Sequence, residues 1–197
     1  MSRFRRISFI ACLFTLSLQH VSAVDIADIR IPEEAILEDG TELKLNGAGV
    51  LKKFFMKIYI GALYLPQRLS NAEQILGTEQ HNRVALHILY KELSRENIAT
   101  ALHKSFENNL SATEFNELTD EISLFLDSLP HRIIKGDTVS IDYQPGSGTT
   151  ISINGKLRGV VDGKFFNRAL LAIWLGENSV SPALKAALLD IHKQYSE

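Results

Sequence analysis

The stretch LKKFFMKIYIGALYLPQR, residues 51–68, decides how the chain is read. Its even positions Phe54, Met56, Ile58, Ile60, Ala62 and Tyr64 are apolar or aromatic. Its odd positions are mostly apolar too, but Lys57 and Tyr59 interrupt them. Aromatic and branched residues at period two fit a pleated, buried strand, so residues 54–65 are expected to form one long strand. The stretch is then either simply a buried strand or one wall of a site whose polar groups are Lys57 and Tyr59.

Upstream, residues 24–50 are expected to be a short extended lead-in, with turns at Asp39-Gly40 and Asn46-Gly47 around an alternating ELKL. Downstream, SNAEQILG (70–77) predicts a short helix capped by Ser70 and stopped by Gly77, and RVALHILY (83–90) predicts a strand. The period then changes. Ile98, Ala101, Leu102, Ser105 and Phe106 share a helical face behind a Ser94 cap. Ser111 with Glu114 opens a second helical run, whose Phe115, Leu118, Ile122, Phe125, Leu126 and Leu129 recur up to Pro130.

TVSIDY and TTISIN flank QPGSG as a hairpin, and KLRGVV offers a third strand after Asn154-Gly155. Residues 163–176 and 181–195 close the chain as helices, with Pro182 in a first turn. The order describes an α+β fold: a large antiparallel sheet with helices packed on one face. Its expected interior residues are Phe54, Phe55, Tyr59, Leu63, Leu86, Ile88, Phe106, Phe165, Leu170, Ile173 and Trp174.

The amino end reads as a signal peptide. Arg3, Arg5 and Arg6 precede the apolar run 7–18, and small residues lead to an expected cut after Ala23. The run is shorter than the roughly 20 residues that span a bilayer. The expected organisation is a signal peptide over 1–23 and one domain over 24–197, periplasmic or secreted, with no membrane span after processing. The single cysteine, Cys12, lies inside the signal, so no thiol chemistry or disulfide is expected in the mature chain. The signal holds three of the 21 basic residues and none of the 23 acidic ones, so the remainder carries −5. No lysine or arginine block stands out along the chain. Neither nucleic acid nor an anionic membrane surface is expected as a partner.

Catalytic signatures are sparse. After His20, histidines fall at 81, 87, 103, 131 and 192 without helical pairing, so no metal site is expected. PGSGT (145–149) lacks the lysine of a phosphate loop and lies between strands, which makes it a turn. No cofactor is implied. Asp142 and Tyr143, beside the hairpin, are expected to be structural.

Three blocks, LNGAGVLKKFFMKIYIGALYLP, DYQPGSGTTISINGK and FNRALLAIWLGENSVSPALKAALL, together resemble the chalcone isomerase-like proteins of bacteria. The resemblance spreads over most of residues 30–190 and implies the same sheet-and-helix fold, with a ligand cleft between the two layers. In the plant enzymes an arginine and hydroxyl groups orient and stabilise an anion during an intramolecular cyclisation. The arginine position matches Leu51, with Lys52 and Lys53 following. The strand threonine matches Tyr59. The helix tyrosine and asparagine fall near Ser94 and Ala101, and a further polar position matches Ile173, followed by Trp174.

With the arginine absent, chalcone cyclisation is not expected. Non-catalytic relatives of this fold bind fatty acids. The resemblance therefore implies a hydrophobic small-molecule ligand held by Tyr59, Lys52, Lys53, Ile173 and Trp174. The alternative is an isomerase or intramolecular lyase acting on an enone or phenolic compound, with Tyr59 as its catalytic group.

Overall fold

Alternating apolar and polar residues carry most of the chain into extended structure. The computed structural model, which describes residues 23–190, shows where each run pairs. Strands β1 (Ala23–Ile26) and β2 (Ile29–Pro32) form a tight hairpin. Strands β3 (Glu34–Ile36), β4 (Glu42–Lys53) and β5 (Met56–Leu65) follow, then helix α1 (Ala72–Gly77) and strand β6 (Asn82–Ile88). Strand β7 (Glu92–Ser94) leads into helices α2 (Arg95–Asn109), α3 (Ala112–Glu117) and α4 (Thr119–Asp127). Strand β8 (Arg132–Ile134) pairs back with β7. A meander of β9 (Thr138–Gln144), β10 (Gly148–Ile153) and β11 (Lys156–Val161) precedes helices α5 (Lys164–Leu175) and α6 (Pro182–Leu188). The large sheet runs β11-β10-β9-β6-β5-β4-β3, every neighbouring pair antiparallel. The expected α+β architecture is the observed one. The closing helix, expected over 181–195, is described only as far as Leu188; residues 1–22 of the expected signal peptide and residues 191–195 of that expected helix lie outside the described residues.

Caps set the helix starts. Ser94 Oγ accepts the Asn97 N–H at 3.3 Å, and Ser111 forms a reciprocal capping box with Glu114. Asn71, not the expected Ser70, caps α1 by accepting the Gln74 N–H. The helical run from residue 112 breaks at Leu118, whose backbone leaves helical geometry, so it folds as α3 and α4.

Three expectations fail in and around the opening stretch. Residues 24–50 are no lead-in: they form β1, β2, β3 and most of β4, which is longer than β5. The predicted strand 54–65 loses its first two residues to a turn. Lys53 pairs with Met56, so Phe54 and Phe55 are the two-residue connection of the β4–β5 hairpin, and both are exposed. Nothing in an unbroken apolar run marks a reversal. Asn46-Gly47 is the converse error, a turn signal that makes no turn. Leu45 pairs with Tyr64 and Gly47 with Leu63, which leaves Asn46 as the extra residue of a bulge inside β4. Phe165, also expected inside, is exposed on the first turn of α5.

Each face of the sheet buries its own core. Leu63 and Leu65 of β5 face the helices. Ile60, Ala62 and Tyr64 face the opposite side, where β1 and β2 cover them with Val24 and Ile31. The helix-side core centres on Phe106, Phe125 and Phe166, whose rings lie 5.6–6.4 Å apart. On the smaller side Tyr64 donates its hydroxyl to the Pro32 carbonyl at 2.9 Å.

Helix α6 is fixed to β4 at the bulge. Asn46 is 1 % exposed, and its amide donates to the Leu188 carbonyl at 2.7 Å and the Leu69 carbonyl at 3.0 Å while accepting the Leu69 N–H at 2.6 Å. Beside it, a Cβ on Gly47 would strike the Ala187 and Leu188 carbonyl oxygens, the latter at 2.7 Å. Overpacking backbone of this kind typically costs about 1–3 kcal/mol. Gly47→Ala is therefore expected to lower the urea midpoint by an amount in that range. Asn46→Ala, which strands the buried Leu188 carbonyl and the half-buried carbonyl and N–H of Leu69, is expected to cost about as much or more in the same measurement.

Candidate functional site

The bulge sets which residues of β4 look at the helices. Before it, Leu43 and Leu45 face the smaller core; after it, Ala48 and Val50 do. Gly47, Gly49 and Leu51 are thereby turned toward the helix layer. Leu51 then lies directly opposite Tyr59 on β5, and Tyr59 opposite Ile88 on β6. This row, Leu51-Tyr59-Ile88, packs against the helix-side core.

The layer above the row is built by α5 and α6. Helix α5 is apolar around most of its girth, and buries Phe166, Leu170, Ile173 and Trp174. Trp174 donates its indole N–H to the Tyr59 hydroxyl at 2.9 Å. Helix α6 rests on glycines: a Cβ on Gly49 would lie 2.6 Å from the Ala187 Cβ, and one on Gly61 3.6 Å from both Leu184 and the Tyr59 ring. The missing side chain at 49 lets the short helix settle onto the strands, while the space at 61 is that of an ordinary contact beside the Tyr59 ring.

Desolvation dominates the electrostatics. It pushes the Tyr59 phenol up to about 12, and the Trp174 hydrogen bond only partly opposes this. The phenol is thus neutral at ordinary pH. Its oxygen receives the indole N–H, and its own hydrogen goes to no acceptor among the described residues. A neutral donor in an apolar layer suits a carboxylate or carbonyl oxygen.

The other sequence-predicted positions are not gathered around this donor. Ile173 is buried in the helix-side core and supplies apolar wall. Lys52 and Lys53 are exposed near the β4–β5 turn, opposite Lys57 and Met56. Ser94 is committed to its cap, and Ala101 lies on the exposed side of α2. Asp142 is structural, holding Arg83 through two 2.6 Å hydrogen bonds across the opposite face. His87 faces that side too, 3.2 Å from the Thr138 hydroxyl, and burial holds its pKa below the usual value.

A cleft of about 250 Å³ that sequence reasoning did not foresee opens between α1 and α5, lined among others by Ile75, Tyr143, Asn167 and Leu171. Inside it Tyr143 donates to Glu79 at 3.1 Å. Burial and that carboxylate push this phenol, too, up to about 12. Contributions from β9, α1 and α5 make the cleft, and no local pattern brings those three together.

A model of the chalcone isomerase-like family matches residues 23–190. No curated protein sequence matches the chain significantly. Among solved structures, the crystal structure of an Arabidopsis thaliana fatty-acid binding protein is similar. It is 20% identical, with a TM-score of 0.59, over 80% of this chain and 96% of that one. At that identity the likeness establishes a shared fold.

Two phenols raised to about 12 have a measurable consequence. In an alkaline titration followed by phenolate absorbance, Tyr59 and Tyr143 are expected to stay protonated at about pH 11, where free tyrosine has ionised. The stability tied to a raised phenol is complete below its unfolded value near 10 and is lost as pH climbs toward 12. Tyr59→Phe should flatten part of that alkaline loss in melting temperature.

Proposed function

Since the chain belongs to the chalcone isomerase-like family, we propose that it binds a hydrophobic small molecule with an oxygen-bearing head group, of the fatty-acid class, without chalcone cyclisation. The ligand lies between the β4–β5 strands and helices α5 and α6. The observation that carries this reading is the Tyr59 phenol: desolvated, neutral, and with its hydrogen uncommitted beneath Trp174.

The head group takes the phenol hydrogen. The tail follows the apolar surface of Leu51 and Ile173, and enters as α6 parts from Gly49 and Gly61. The position that resembles the plant arginine is Leu51, which packs against the helix-side core, while the lysines next to it are exposed. No cation therefore meets a substrate anion at that row. The fatty-acid binding activity named for the Arabidopsis protein of this fold supports the same class of ligand. We place the protein outside the cytoplasm, as an exported bacterial member of the family that works after removal of residues 1–23.

The test is native mass spectrometry of protein recovered from an exporting host, paired with thermal melts in added fatty acid. A retained lipid and a rise in melting temperature are expected; ligand at a hundred times its Kd adds about 2.7 kcal/mol. Tyr59→Phe should weaken a free fatty acid about tenfold, the worth of one hydrogen bond, and leave a hydrocarbon without a head group unaffected. Protein that carries no lipid and melts identically with and without medium- and long-chain fatty acids would overturn the proposal.

A further inference from the structure

The β4–β5 turn presents three large apolar side chains to solvent. Phe54 is 84 % exposed, Phe55 is fully exposed and Met56 is 44 % exposed. Folding gains nothing from them there. Phe54 also holds φ at +56°, a backbone region where glycine is the favoured residue of a tight hairpin. Two exposed aromatics, one on a strained backbone, detract from stability and point to a contact outside the fold.

Charge indicates what that contact is. Lys52, Lys53 and Lys57 flank the aromatic tip, and all three are exposed. The register brings further lysines to the same end of the sheet. Tyr59 pairs with Ile88, the last residue of β6, and three residues further along the chain the Lys91 carbonyl accepts the Lys135 N–H at 3.2 Å. Thr138 pairs with His87, and Ile153, which pairs with Val139, pairs also with Lys156 at the β10–β11 turn. Lys91, Lys135 and Lys156 are exposed as well, and none of the six lysines is in an ion pair among the described residues. The acids at this end are already engaged. Glu92 faces Arg132 at 3.7 Å, and Asp137 accepts from the Ile134 N–H and the Asn154 amide. Exposed Ile134 and Leu157 add apolar surface beside the lysines.

We propose that this end of the sheet docks on an anionic lipid bilayer, with Phe54 and Phe55 inserted at the headgroup boundary and the lysines on the phosphates. Aromatic residues bury into the interface, while lysine stems lie along it and keep their charges at the headgroups. No described helix is long and apolar enough to span a membrane, so the contact is peripheral. Docking sets the Tyr59–Trp174 pair, only a few residues down β5, close to the lipid. The surface stands on its own observations, whatever the ligand at Tyr59.

Vesicle flotation of protein purified from an exporting host tests it, with vesicles of about three parts phosphatidylglycerol to seven of phosphatidylcholine against phosphatidylcholine alone. Because every variant shares the same amino end, the readout is the difference between variants. Binding to the anionic vesicles is expected at about 0.05 M salt, weakening steeply by about 0.5 M as screening shortens. The double variant Phe54→Gly, Phe55→Ser should lose at least about tenfold in partitioning while its melting temperature holds or rises, since glycine relieves the positive φ. Replacing Lys52, Lys53 and Lys57 by Gln should remove most of the preference for anionic lipid. Three results would each overturn the proposal. In the first the wild-type protein does not float with anionic vesicles at low salt, and in the second the double variant floats as well as it. Alternatively, the phenylalanines drive a concentration-dependent association of two copies with no vesicle binding.

Discussion

The buried amide of Asn46 is the constraint on which the rest depends. One extra residue in β4 shifts the phase of a strand whose side chains alternate strictly, so every residue beyond it changes face. Without the shift, Leu51 would point toward the smaller core and leave the row it shares with Tyr59. The same amide satisfies the Leu188 carbonyl at the end of α6 and both backbone groups of Leu69. A single side chain thus sets strand phase, ends a helix and anchors the segment after β5. Burial strengthens each of those bonds and makes each costly to lose.

The two sides of the helix layer are held differently. Around Phe106, Phe125 and Phe166 the core is made of interlocking aromatic rings, which resist deformation. Helix α6 is short and rests on glycines through Leu184 and Ala187, with Asn46 at one end and Lys185 donating to the Gly176 carbonyl at 2.9 Å near the other. Tyr59 lies beneath the thinner of these two constructions. That placement suits a binding layer that opens on one side of a fixed core.

Some of the site was legible in the residues. Period two found β5, β6, β9, β10 and β11, and Ser94 and Ser111 announced their helices, because pleat and cap are local properties. Tyr59 was identifiable as a polar break on an apolar face. Trp174 joined it only through the family resemblance: it lies 115 positions away, and no local pattern announces the hydrogen bond from indole to phenol. The lysine-rich end was equally hidden: its charges are scattered from 52 to 156, and the sheet register collects them. Phe54 and Phe55 misled for the opposite reason. Hydrophobicity reports what a side chain prefers, and a turn without glycine or asparagine gives no local sign that the preference goes unmet.

The sequence by itself therefore determined the fold class, most strands and helices, the helix caps and the family resemblance. All of these rest on spacing within a few residues or on ordered blocks along the chain. Tertiary structure alone decided whether Asn46-Gly47 turns the chain or bulges a strand, and whether Phe54-Phe55 is core or tip. It also decided that the Tyr59 phenol meets an indole in the helix-side apolar layer. The physical reason is common to the three. Asn-Gly satisfies turn and bulge geometry equally well, and an aromatic pair extends a strand or caps a hairpin with the same local pattern. A phenol's proton affinity depends on the water that distant elements exclude. In each case the deciding energy is a contact between segments that the chain brings together only on folding.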